Sequence, residues 1–158
     1  MSHIEDKLSE LGLTLPDHVP PAGSYLVGYR TGNLVFTSAV GPRSADSNIT
    51  GLLGADATIE QGYEAARRTC LRILTNVKSI IGDLDKITHV VKIFGMVQAT
   101  ADFNQYAQVV NGCSDRVAMS VTASSIAKPF TKRSPMRIAK RSLVVGSRVQ
   151  SHWLLFTS

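Results

Sequence analysis

Five lysines and arginines (Lys132, Arg133, Arg137, Lys140 and Arg141) fall inside FTKRSPMRIAKRS, residues 130–142, with no acid among them. Such a run can neutralise phosphates as a nucleic-acid arm. It can house a catalytic arginine. It can also be a stretch foreign to the domain before it. Phe130 is the lone aromatic between Tyr106 and Trp153, so platforms for stacking bases are scarce and nucleic acid is the weaker partner. Other reactive side chains are dispersed. His3, His18, His89 and His152 show no ligand spacing and no adjacent carboxylate pair, so no metal site is expected. Cys70 falls on an apolar helical stripe and reads as core. Cys113 follows an expected helix end and could be exposed, but no neighbouring histidine would activate it. Asp83 and Asp85 read as turn residues rather than an acid/base dyad.

The acids themselves are unevenly placed. Residues 1–111 hold nine Lys and Arg against eleven Asp and Glu, a balance of −2, whereas residues 112–158 hold eight against one, a balance of +7. Asp115 is the last acid in the chain. At 158 residues and 44% apolar composition, one globular domain with a substantial core is expected. No run is long enough to span a bilayer, the N-terminus has no secretory pattern, and two cysteines make no disulfide framework. These features predict a cytoplasmic protein with no membrane partner.

Local pattern divides the chain into elements. HIEDKLSELGL places Ile4, Leu8 and Leu11 at helical spacing, and LPDHVPPAGSY after it is extended by its prolines. YLVGY and NLVFTSAV flank Arg30-Thr31-Gly32-Asn33, which predicts an antiparallel hairpin over 25–40. The strongest signal is a helix after Thr58. Its stripe runs Ile59, Tyr63, Ala66, Cys70, Ile73, Leu74, Val77, Ile80 and Ile81, with Arg67, Arg68, Arg72 and Lys78 off it. Thr58 and Gln61 form a capping box, and Gly82 suits the position past the helix end. THVVKIFGMVQ, 88–98, is apolar on both alternating faces, as in a central strand covered on both sides. A second helix is predicted over 101–110, closed by Asn111. The fold class is α+β, with two helices packed on one face of a mixed β-sheet.

Three stretches in this order resemble the RidA (YjgF) family of imine and enamine deaminases: SYLVGYRTGNLVFTSAVGP, IIGDLDKI followed by VVKIFGMVQ, and ADFNQYAQVVNG. Together they cover about residues 22–114, which makes 1–21 an N-terminal extension and 22–158 a RidA-like domain with an atypical basic segment, 116–158. The resemblance implies a chorismate-mutase-like fold, a homotrimer with clefts between subunits, no cofactor, and hydrolysis of a small 2-imino acid to the 2-keto acid and ammonia. It implies that Tyr25 lines the cleft and that Ser38, at the strand end, contacts substrate. Ala39 stands where glycine is usual, and its methyl would narrow the cleft. Asn111 falls near a subunit contact, a place helix capping explains nearly as well. Arg133, or alternatively Arg141, would grip the substrate carboxylate through its planar fork.

After Asp115 the pattern stops. The glutamate with which the family positions water has no counterpart, because no acid follows. Three accounts of the basic segment therefore stay open: a phosphate-binding arm, a divergent but working third of the domain, or an ending produced by a shifted reading frame. The missing acid also keeps a second function in view, a non-catalytic trimeric protein that binds a small 2-imino or 2-keto acid in the same cleft.

Overall fold

The structure, a computed structural model, describes residues 2–43, 49–125 and 152–157. Its elements run α1 (His3–Glu10), β1 (Gly28–Thr31), β2 (Leu34–Thr37), α2 (Ile59–Ile81), a short 3-10 turn (Leu84–Lys86), β3 (His89–Gly95), α3 (Tyr106–Ser125) and β4 (His152–Thr157).

Each well-predicted element has a local cause. Gly32 takes φ +55° while Asn33 keeps a negative φ, the pattern of a II′ turn, and Thr31 pairs with Leu34 across it. Thr58 caps α2 reciprocally: its hydroxyl accepts from the Gln61 amide at 3.2 Å, and the Gln61 side chain accepts from the Thr58 amide at 2.8 Å. Gly82, at φ +81°, ends the helix by donating its N–H to the Lys78 carbonyl at 2.8 Å. Asp83 caps the 3-10 turn, and Asp85 reaches back to the start of α1. Its carboxylate accepts from the amides of His3 and Ile4 at 2.7 and 2.9 Å, so both aspartates serve helix starts. Ile4 and Leu8 are consequently buried, and α1, expected from its helical spacing, joins the core beside the two helices expected on the sheet.

Among the described residues four strands form one sheet in the order β1-β2-β4-β3, and the ladders between them are antiparallel. β4, from the last residues of the chain, lies between β2 and β3 and is a central strand. Val35 and Thr37 of β2 are buried, and Val35 shares one core cluster with Ile73, Leu74 and Val77 of α2, so the helices cover this face. On the other face Tyr29, 64% exposed, lies opposite Phe36, 46% exposed.

Two expectations are corrected. The 88–98 segment is an edge strand of the described sheet, with Val91 exposed and Val90 half-buried, because β4 takes the central place. The second helix begins at Tyr106 and runs through Asn111 to Ser125. Tertiary packing overrides the stop signal there: Gly112 lies against the backbone of α2, where an added Cβ would sit 2.1 Å from the Tyr63 carbonyl oxygen. Cys113 is therefore fully buried instead of exposed. Among the described residues no helix is long and apolar enough to cross a membrane.

Candidate functional site

Tyr25 and Ser38 meet in one cleft of about 810 Å³, whose walls also carry Asp17, Ala39, Arg43 and Arg72. Four local devices build it. Thr75, on the inner side of α2, donates its hydroxyl to the Pro16 carbonyl at 3.0 Å, which pins the proline-rich lead-in against the helix and brings Asp17 to the rim. The hairpin carries on past its strands: the Ser38 amide donates to the Val27 carbonyl at 2.9 Å, and the Ser38 hydroxyl donates to the Leu26 carbonyl. Tyr25 follows a tight turn in which its amide donates to Gly23, and its ring stays 52% exposed over the cleft. Finally, Arg72 of α2 donates from Nη1 to the Gly41 carbonyl at 2.7 Å and holds the strand-end loop to the helix.

The cleft is electrostatically lopsided. Burial lowers the pKa of Arg72, Arg43 beside it lowers it further by repulsion, and Tyr25 partly offsets both. Among the described residues neither Arg43 nor Arg72 forms an ion pair. The other arginines of α2 are matched: Glu64 takes Arg67 through two hydrogen bonds of 2.6 and 2.9 Å and Arg68 through one of 3.1 Å. A hydroxyl, a phenol and two unmatched guanidiniums facing one space suit a small anion with a polar head.

The expected site residues divide accordingly. Tyr25, Ser38 and Ala39 are brought together. Asn111 sits within α3 and is not among the cleft-lining residues of its own chain. Arg133 and Arg141 lie outside the described residues. Sequence reasoning missed Asp17, Arg43 and Arg72 as site residues. A signal existed for Arg72, which stands off the helical stripe yet between Leu71 and Ile73, both buried; for Asp17 and Arg43 there was none. The cysteines are core residues: a hydrogen bond from the Cys113 thiol to Cys70, together with burial, holds that thiol well above the usual range, which leaves it unreactive. Among the described residues no group of three or more His, Cys, Asp or Glu is placed to hold a metal ion.

No family model matches the sequence. Over 111 residues the chain is 32% identical to Protein TCP17 of Trypanosoma cruzi, covering 70% of this chain and 69% of that protein. Among solved structures, a candidate endoribonuclease of Shewanella oneidensis superposes with a TM-score of 0.82 at 20% identity, over 99% of this chain and 100% of that one. Atu1372 of Agrobacterium tumefaciens, a protein of unknown function, superposes with a TM-score of 0.76 at 26% identity, over 98% of this chain and 91% of that one. The E. coli YjgF gene product gives 0.52 at 18% identity, over 87% and 90% of the two chains. By sequence the chain belongs to one family with TCP17, and it shares the fold of the E. coli YjgF gene product.

Proposed function

We propose that the protein is a hydrolytic deaminase of small 2-imino acids that works in the Tyr25–Ser38 cleft, as a homotrimer and without a cofactor. The convergence of Tyr25 and Ser38 is the observation that carries the reading. The two lie 13 positions apart, on either side of the hairpin, and matter together only if the cleft exists. In the reaction, water adds to the imine carbon, the carbon–nitrogen bond breaks, and the 2-keto acid and ammonia leave. The imine carbon is already electrophilic, so orientation of substrate and water supplies much of the rate. Tyr25 and the oxygen of Ser38 orient the substrate. Asp17 is the one carboxylate among the lining residues and takes the water, the place for which no acid after Asp115 is available. The clamp that the resemblance implies for the substrate carboxylate, Arg133, lies outside the described residues. The exposed Tyr29–Phe36 face supports assembly, because it is apolar surface that copies of the chain would bury.

A second reading rests on the chain's own acids. Asp115, the last of them, accepts a hydrogen bond from the Tyr63 hydroxyl at 3.1 Å and does not line the cleft. A protein with the cleft but no hydrolytic water would bind 2-keto acids without turnover.

The deciding experiment generates 2-iminopropanoate in situ with an amino-acid oxidase and follows its decay with and without the purified protein. Decay faster than buffer hydrolysis supports the deaminase. Unchanged decay, with protection of the fold by a 2-keto acid, leaves the binding protein.

A further inference from the structure

We propose that Arg72, with Arg43 beside it, is the anion clamp of this cleft: the carboxylate of the ligand is held from α2 and the strand-end loop, not from the basic C-terminal segment. The carboxylate as ligand group rests on the function proposed above; the anion site itself does not.

Four observations lead here. First, Arg72 is partly withdrawn from water, and a charge so placed costs free energy unless something neutralises it. No described carboxylate does so. Second, a guanidinium has five N–H donors, and the Gly41 carbonyl takes one of them. That bond fixes the plane of the fork and leaves its remaining donors for a planar two-oxygen acceptor. Third, Arg43 lines the same cleft and repels Arg72. Two like charges kept together are relieved by an anion between them. Fourth, the remaining walls select the kind of anion. Val27, Val40 and Pro20 offer apolar contact, while Tyr25 and Ser38 offer neutral hydrogen-bonding groups. Such walls suit a small carboxylate with a carbonyl or imine next to it and a short aliphatic tail. A polyphosphate would find only two cations.

The contrast with α2's other arginines strengthens the assignment. Arg67 and Arg68 share Glu64, so their charges are already satisfied on the helix surface. Arg72 is spent on a backbone carbonyl instead, an arrangement that orients the side chain without neutralising it.

The test measures binding of 2-oxobutanoate, of its neutral amide and of inorganic phosphate by titration calorimetry. The proteins are the parent chain, Arg72→Gln, Arg72→Lys and Arg43→Gln. Arg43 is exposed, so its replacement leaves the fold intact even if Arg72→Gln does not. The expected result is a loss of 2-oxobutanoate affinity of at least tenfold in Arg72→Gln and of several fold in Arg43→Gln. Lysine should restore only part of it, because it cannot present a fork, and amide affinity should be unchanged. Equal 2-oxobutanoate affinity in all four proteins overturns the clamp and leaves the deaminase reading standing. Phosphate binding that depends on Arg72, without 2-oxobutanoate binding, keeps the anion site and sinks the 2-imino acid. No anion bound by any of the proteins overturns both.

Discussion

Asp17 and Ser38 illustrate how much a single residue's role depends on where the backbone takes it. Ser38 has the two roles its position allows at once. Its hydroxyl hydrogen is given to the Leu26 carbonyl, which secures the end of the hairpin, and its oxygen still borders the cleft. Asp17 is exposed and sits in a proline-rich stretch that looks like a connector, yet Thr75 ties the preceding carbonyl to α2. If it positions water, Asp17→Asn should reduce imine hydrolysis by about 10²-fold or more, the range for a lost general base. The affinity for 2-oxobutanoate should meanwhile stay within about twofold of the parent's, since the amide is isosteric. Steady-state kinetics beside calorimetry make the distinction, and a parallel fall in both would mean that Asp17 merely shapes the cleft.

At the scale of elements, the contact between α2 and α3 decides the architecture. Gly112 lets the two backbones approach so closely that any side chain there meets the Tyr63 carbonyl. Gly112→Ala removes a poor helix former, which by propensity alone would stabilise α3 by about 1 kcal/mol. The collision reverses the sign, and destabilisation of about 1–3 kcal/mol, as for other overpacked sites, is expected in chemical denaturation. A stabilised variant would show that the helices can separate freely. Helix α2 also carries a pH dependence. The hydrogen bond from Arg67 is the main cause that holds the Glu64 carboxyl below its ordinary value of 4.5, with Arg68 adding to it and burial opposing. A depressed folded value means stability that is present above the unfolded value and lost as pH falls through the folded one. The gap in urea midpoint between the parent and Glu64→Gln should therefore be wider at pH 7 than at pH 3. A gap of the same size at both would assign no role to the charge.

The whole molecule turns on how its last strand is used. The sheet is closed by His152–Thr157, which pairs with β2 on one side and β3 on the other. A segment placed in the middle of a sheet is part of the fold. The opposite sheet face leaves Tyr29 and Phe36 bare, and an aromatic pair on a sheet is a good surface to bury against another copy. Phe36→Asp should accordingly convert the proposed trimer to monomer in sedimentation velocity, with helix content by circular dichroism unchanged. A variant that still sediments as a trimer would place the interface elsewhere.

Helix α2 and the hairpin turn are legible in the sequence alone, because their determinants act over a few residues. The Thr58–Gln61 exchange, the apolar stripe, the positive φ of Gly32 and the stop at Gly82 each need only near neighbours. The Tyr25–Ser38 pairing is legible through resemblance. The rest is not written locally. Asn111-Gly112 reads as a helix end, and becomes helix interior because α2 is there to pack against. THVVKIFGMVQ reads as a central strand, and becomes an edge because a segment some sixty positions later takes the middle. The cleft gathers residues 17, 25, 38, 43 and 72, and is held by Thr75 to Pro16 and Arg72 to Gly41. Such convergence depends on long-range burial and hydrogen bonding, which spacing along a chain does not encode. The sequence determined the elements and the chemistry on offer, while the tertiary structure decided which of those groups face one another.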